Sequence, residues 1–239
     1  METGNGTGAP PFMVGRGGVA LATALVLLVA LAFALDPDLD LAASRAFYRG
    51  AGRFAGVTPL GEGVRRLFDV VPFLILAGAA ALHVLRRLGR LGRRVPAPTG
   101  RGLLALALSL ALGPGLLVNV ALKDHWHRPR PVQVAEFGGM DAFRPLGWPG
   151  GQCRRNCSFV SGEGASAFWT VAPALMVPPP WRAAALGAAL VYAAAAGLLR
   201  MAFGGHFLSD TLLAALFTWL VIAAVWRACL GRRPPLARP

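Results

Sequence analysis

The chain has 239 residues, with 24 Lys and Arg against 11 Asp and Glu, for a formal net charge of +13 at pH 7. Only 15% of it is charged and 55% is hydrophobic; a mean hydropathy of +0.55 excludes an ordinary soluble domain. The basic excess does not point to nucleic acid, because no basic helix is interleaved with aromatics and arginine clusters beside apolar runs account for it.

Apolar runs long enough to cross a hydrocarbon core of ~30 Å predict an all-helical membrane bundle of six transmembrane helices. The spans fall near 18–35, 70–86, 102–122, 161–177, 183–199 and 210–229. A tail over 1–17 precedes the first. Ala32-Phe33-Ala34 could pass for a signal-peptidase site. The apolar run is long for a signal peptide and only Arg16 precedes it, so we read an uncleaved helix.

Segment 36–69 mixes Asp36, Asp38, Asp40 and Glu62 with five arginines. Its apolar spacing, Leu41, Phe47 and Phe54, suggests a helix along the membrane surface, with a solvated connector as the alternative. In span two, His83 is expected to pack or to bond a backbone carbonyl. The loop Arg86–Arg94 holds five arginines and no acid, which places it on the cytoplasmic side. The N-terminus, Arg182 and the tail arginines 227, 232, 233 and 238 follow it there, the tail proper being 230–239. Segment 36–69, the loop 123–160 and the turn 200–209 then share the opposite face. Residues 70–229 form the predicted catalytic core.

Three polar clusters interrupt the apolar background on that face: Lys123 to Pro131, Cys157 to Gly164, and Arg200 to Asp210. Ionisable groups at membrane depth are costly, so converging ones indicate function. Of the 24 basic residues only Lys123 is lysine, and it opens the first cluster. Cleaving a phosphate ester without a metal requires cations and N–H donors around the phosphoryl oxygens. Lys123, Arg130 and Arg200 can supply the charge. Ser161 and Gly162 open span four, where a helix N-terminus offers backbone N–H groups. His206 can serve as nucleophile, and Asp210, one helical turn on, can accept its Nδ1–H and leave Nε2 to attack.

Here the chain resembles the type 2 phosphatidic acid phosphatase superfamily, whose signature is K-x6-RP, then PSGH, then SR-x5-H-x3-D. Lys123 to Arg130-Pro131 fits the first block. Arg200, His206 and Asp210 fit the third, with Leu199 replacing its serine. Ser161-Gly162 match the second, where Val160 replaces proline and Glu163 replaces histidine. The resemblance covers roughly residues 70–229. It implies a membrane lipid phosphatase with His206 as nucleophile and Asp210 as its orienting acid. Lys123, Arg130, Ser161, Gly162 and Arg200 would bind phosphate. Glu163 stands where the family's histidine protonates the leaving oxygen, and surrounding cations disfavour a protonated carboxyl there. An easily departing group, as in lipid A 1-phosphate or a polyprenyl diphosphate, would relieve that need. The string Cys157 to Glu163 also resembles bacterial lipid A phosphatases.

The resemblance implies a phosphorylated membrane lipid as partner and no cofactor. It is compatible with a bacterial inner membrane and a periplasmic site. Oligomeric state is not legible. Transfer of the phosphate to a second lipid, a vanadate haloperoxidase and a non-enzymatic anion-binding protein or transporter are the alternatives. Cys153 and Cys157, four apart in a polar loop, are equally compatible with a disulfide and with two thiols. His125 and His127 beside Asp124 form a possible metal pair, but any polar residue would serve in that stretch, and no metal is expected. Arg154 and Arg155 could hold a second anionic group or lie solvated. Trp126, Trp148 and Trp181 are read as interfacial anchors.

Overall fold

A computed structural model describes residues 11–92, 94–231 and 236. Arg93, the tail arginines 232, 233 and 238, and residues 1–10 of the N-terminal tail lie outside the described residues. The fold is all-helical, and among the described residues the β contacts are isolated bridges.

After a short α1 (Pro11–Val14), α2 (Arg16–Leu35) is apolar on all sides. The short α3 is Asp38–Arg45. Thr58 caps α4 (Pro59–Arg87) by accepting from Gly61 N, Pro59 stands at a first-turn position, and Arg86 and Arg87 close the helix where the dipole favours cations. Thr99 caps α5 (Gly100–Leu110) in the same way. Beyond Leu110 the backbone ladder widens to π-helical spacing over Ala111–Leu122, a segment containing Pro114. Proline cannot donate to the ladder, and Asn119 Nδ2 bonds the Pro114 carbonyl at 2.8 Å. Then come α6 (Lys123–Trp126), α7 (Gly162–Trp169), α8 (Val171–Met176), α9 (Arg182–Ala202) and α10 (Leu208–Cys229).

Five of these elements are long and apolar enough to cross a membrane: α2, α4, the continuous 100–122 helix, α9 and α10. Leu27, Leu31, Phe73, Leu74 and Val191 on them are each more than half exposed, an apolar exterior suited to lipid rather than water. The fourth expected span differs. Residues 162–176 form two short helices broken at Thr170, about 22 Å end to end at ~1.5 Å per residue. Pro173 follows the break, and three prolines, 178–180, follow the end. The pair is the centre of the bundle, enclosed by α4, α5, α9 and α10. Trp169, fully buried, donates to Ser109 Oγ at 2.9 Å.

Segment 36–58 also departs from expectation. Leu41 and Phe54 are not turned to a membrane surface. They are buried against Val134, Phe137 and Phe207 of the protein's own connecting loops. Trp126 packs on Phe159 at 4.5 Å, whereas Trp148 and Trp181 are about 70% exposed, as interfacial anchors would be. In α4, His83 Nδ1 lies 2.8 Å from Pro98 O.

Candidate active site

The three polar clusters meet at one end of the bundle. The C-terminal end of the 100–122 helix delivers Lys123, and the N-terminus of α7 delivers Ser161, Gly162 and Glu163. The last turn of α9 delivers Arg200, and the loop before α10 delivers His206. Ser161 is fully buried and caps α7, its Oγ accepting from Gly164 N at 3.1 Å. At Gly162 a Cβ would lie 2.4 Å from Asn119 Oδ1 and 3.1 Å from Lys123 Nζ, so only glycine lets the lysine approach the helix start.

Asn156 gathers two cations. Its carbonyl accepts from Arg130 Nε and Nη2 at 3.0 and 2.8 Å, and its Oδ1 accepts from Lys123 Nζ at 3.4 Å. Burial and neighbouring Arg200 push the Arg130 guanidinium down from its ordinary value. Arg200 is 7% exposed, and its Nη1 lies 3.3 Å from Glu163 Oε1. Its Nε is buried without an acceptor, the kind of orphaned donor that a bound ligand satisfies. A Cβ on Gly205 would lie 2.5 Å from Arg200 Nη2. Glu163 is paired a second time, with Arg65 of α4 at 2.9 Å.

His206 is 1% exposed. Its Nδ1 lies 2.6 Å from the carbonyl oxygen of Ser158. A carbonyl only accepts, so Nδ1 carries the hydrogen and Nε2 keeps its lone pair. Burial above all, then the charges of Arg200, Arg130 and Lys123, holds the imidazole well below its usual range. The ring and the three cations thus share one electrostatic environment.

Asp210 does not take the Nδ1–H of His206 as the spacing suggested, since that nitrogen faces the Ser158 carbonyl. Its Oδ2 accepts from Phe207 N at 2.9 Å and from the Ser158 hydroxyl, and its Oδ1 accepts from Arg128 Nη1 at 2.7 Å. The α10 N-terminus explains this: a carboxylate at its third position turns back to cap the helix rather than forward to the ring. Arg128 is fully buried between Asp210 and Asp40, 2.7 Å from each, with Phe207 4.3 Å from its guanidinium carbon. Sequence reasoning singled out none of Arg128, Asp40, Ser158 or Arg65.

Cys153 and Cys157 form a disulfide across the loop that carries Asn156. His125 Nδ1 faces Ala121 O and His127 Nδ1 faces Cys153 O. Among the described residues no three His, Cys, Asp or Glu side chains converge as a metal site. A polar cavity of about 720 Å³, lined by His127, Asp141, Gly151, Gln152, Cys153 and Arg154, opens beside this loop.

Residues 102–234 match the PAP2 superfamily. The chain is 32% identical over 209 residues to the lipid A 4'-phosphatase of Francisella tularensis subsp. novicida, covering 82% of this chain and 90% of the relative. It is 35% identical over 206 residues to the lipid A 4'-phosphatase of Rhizobium etli, covering 81% of this chain and 80% of that one. With the lipid A 4'-phosphatase of Rhizobium leguminosarum it shares 34% over 206 residues, 81% of this chain and 88% of the relative. No solved structure matches the chain.

Proposed function

The chain belongs to the PAP2 superfamily, and we propose that this multi-pass membrane protein hydrolyses the 4'-phosphate monoester of lipid A, with His206 as nucleophile. The observation that carries the reading is the neutral, oriented imidazole of His206 within the field of Lys123, Arg130 and Arg200. The 4'-phosphatase relatives supply the substrate class.

In this reading the phosphate settles among the three cations, with Arg200 Nε and the first N–H groups of α7 as donors. His206 Nε2 attacks phosphorus, the ester P–O bond breaks, and its electron pair stays on the sugar oxygen. A 4'-position releases a secondary alkoxide, a poorer leaving group than the 1-phosphate or diphosphate anticipated from Glu163. A proton donor is therefore needed. We assign that role to Glu163. Its Oε1 lies 3.3 Å from Arg200 Nη1, beside the place the phosphate takes among the cations, and in this scheme it enters the step carrying a proton. That proton passes to the leaving oxygen. In the second step Glu163 takes a proton from water, the oxygen attacks phosphorus and the P–N bond breaks.

Lys123, Arg130, Arg200, Ser161 and Gly162 hold the phosphate in this scheme. The polar cavity beside the Cys153 loop offers hydroxyl-binding groups to the sugar headgroup. The disulfide supports a periplasmic setting for this face in an inner membrane, opposite the arginine loop at 86–94. The test is mass spectrometry of bis-phosphorylated lipid A after incubation with the purified protein in detergent. Loss of the 4'-phosphate is expected. Loss of the 1-phosphate alone, or faster turnover of phosphatidic acid, would overturn the assignment.

A further inference from the structure

Within the PAP2 match the residues around His206 do not complete their own hydrogen-bond network. Arg128 has one acid, Asp210, inside residues 102–234; its second, Asp40, lies 88 positions earlier and outside that match. Asp40 is 1% exposed. Its Oδ2 accepts from Arg128 Nη2 at 2.7 Å and from Ser209 Oγ at 2.6 Å, and its Oδ1 accepts from Ser209 N at 2.9 Å. Arg128 spends Nη1 on Asp210 and Ser209 Oγ and Nε on Arg144 O. Asp210 in turn accepts the Ser158 hydroxyl, and the Ser158 carbonyl accepts His206 Nδ1. Hydrogen bonds joined through the residue Ser158 thus connect α3 to the imidazole.

We propose that Asp40 and Arg128 are positioning residues for His206, so that the segment before the family-matched region completes the active site. The proposal rests on the reading of His206 as nucleophile. A buried ion triad is weak support for stability, since apolar groups of similar volume often serve as well; its use lies in fixing one geometry. Here the geometry fixed is the N-terminal turn of α10 together with Ser158. The same segment braces the loop before α10 from a second direction. Gly56 N donates to Ala202 O at 2.7 Å. The Phe54 ring lies over Gly204, at positive φ, where a Cβ would stand 2.7 Å from it. Both contacts fall within a few residues of His206.

The experiment compares Asp40→Asn with the parent, as full-length protein in detergent, by kcat and KM on lipid A, by melting temperature and by ¹⁵N signals of the His206 ring, identified by their loss in His206→Ala. Asp40→Asn is expected to lower kcat by about 10- to 100-fold with KM within about twofold, the signature of a misplaced reacting group. The ring signals should move toward a mixture of tautomers. Leu41→Ala, a buried apolar neighbour on α3, is expected to lower the melting temperature while leaving kcat and the ring signals in place. Ser209→Ala removes only the hydroxyl between Asp40 and Arg128 and tests the same path should Asp40→Asn not fold; a loss in kcat of about 3- to 10-fold is expected. Unchanged kcat and ring signals in Asp40→Asn and Ser209→Ala, or a loss of kcat in Leu41→Ala as large as theirs for the same fall in melting temperature, would overturn the proposal. Undiminished activity in His206→Ala would instead remove the nucleophile reading.

Discussion

His206 Nδ1 bonds the Ser158 carbonyl at 2.6 Å, and Ser158 offers its hydroxyl to Asp210, so one serine links the imidazole to the carboxylate. The ring is held by backbone, which substitution of the Ser158 side chain leaves in place. Ser158→Ala should therefore keep activity to within about tenfold of the parent, and Asp210→Asn, which also leaves Arg128 short of one acid, should lose about 100-fold. Steady-state kcat for the two variants checks the order. A loss in Ser158→Ala equal to that in His206→Ala would contradict it.

Burial and three nearby cations depress the His206 proton affinity in the folded protein below the ordinary ~6.5. The unfolded chain therefore takes up that proton first as pH falls. This residue's contribution to stability is full above about pH 6.5 and declines below it. The free enzyme should accordingly hold a neutral ring at pH 6. An NMR titration of the His206 ring without substrate reads this directly, and a midpoint at or above about 6.5 would contradict it.

Glu163 donates a proton only where the leaving oxygen needs one. Glu163→Gln should lower kcat on the sugar phosphate by about 10²-fold and change p-nitrophenyl phosphate turnover by less than about threefold. The amide still reaches Arg65 and Arg200, so substrate binding is retained. Equal losses on both substrates would reassign Glu163 to holding Arg200 alone.

The Cys153–Cys157 bridge closes the loop whose Asn156 pins Lys123 and Arg130. Cys153→Ser with Cys157→Ser, or reduction by dithiothreitol, should raise KM by about tenfold through looser phosphate binding. Kinetics with and without reductant measure it. An unchanged KM would separate the bridge from the site.

Much of the site is legible in the chain because its signals are local. Apolar length marks the spans, and the offsets from Lys123 to Arg130 and from Arg200 to His206 and Asp210 survive as motifs. The partner of His206 is not legible, because it is a backbone carbonyl 48 positions away and carries no residue signature. Arg128 sits inside the variable stretch of the first block, and Asp40 among acids that read as solvated. Each becomes meaningful only when burial removes water and forces the charges to pair. The fourth span looked continuous because hydropathy does not register a break at Thr170 inside a helix pair that other helices enclose.

The most direct measurement is rapid-quench capture of the phosphoenzyme with lipid A carrying ³²P at the 4'-position. Label should appear on the protein as an acid-labile, alkali-stable adduct within the peptide holding His206. It should vanish in His206→Ala, whose turnover falls by at least ~10³-fold. Label on another residue, or His206→Ala releasing phosphate at the parent rate, would contradict nucleophilic catalysis at His206.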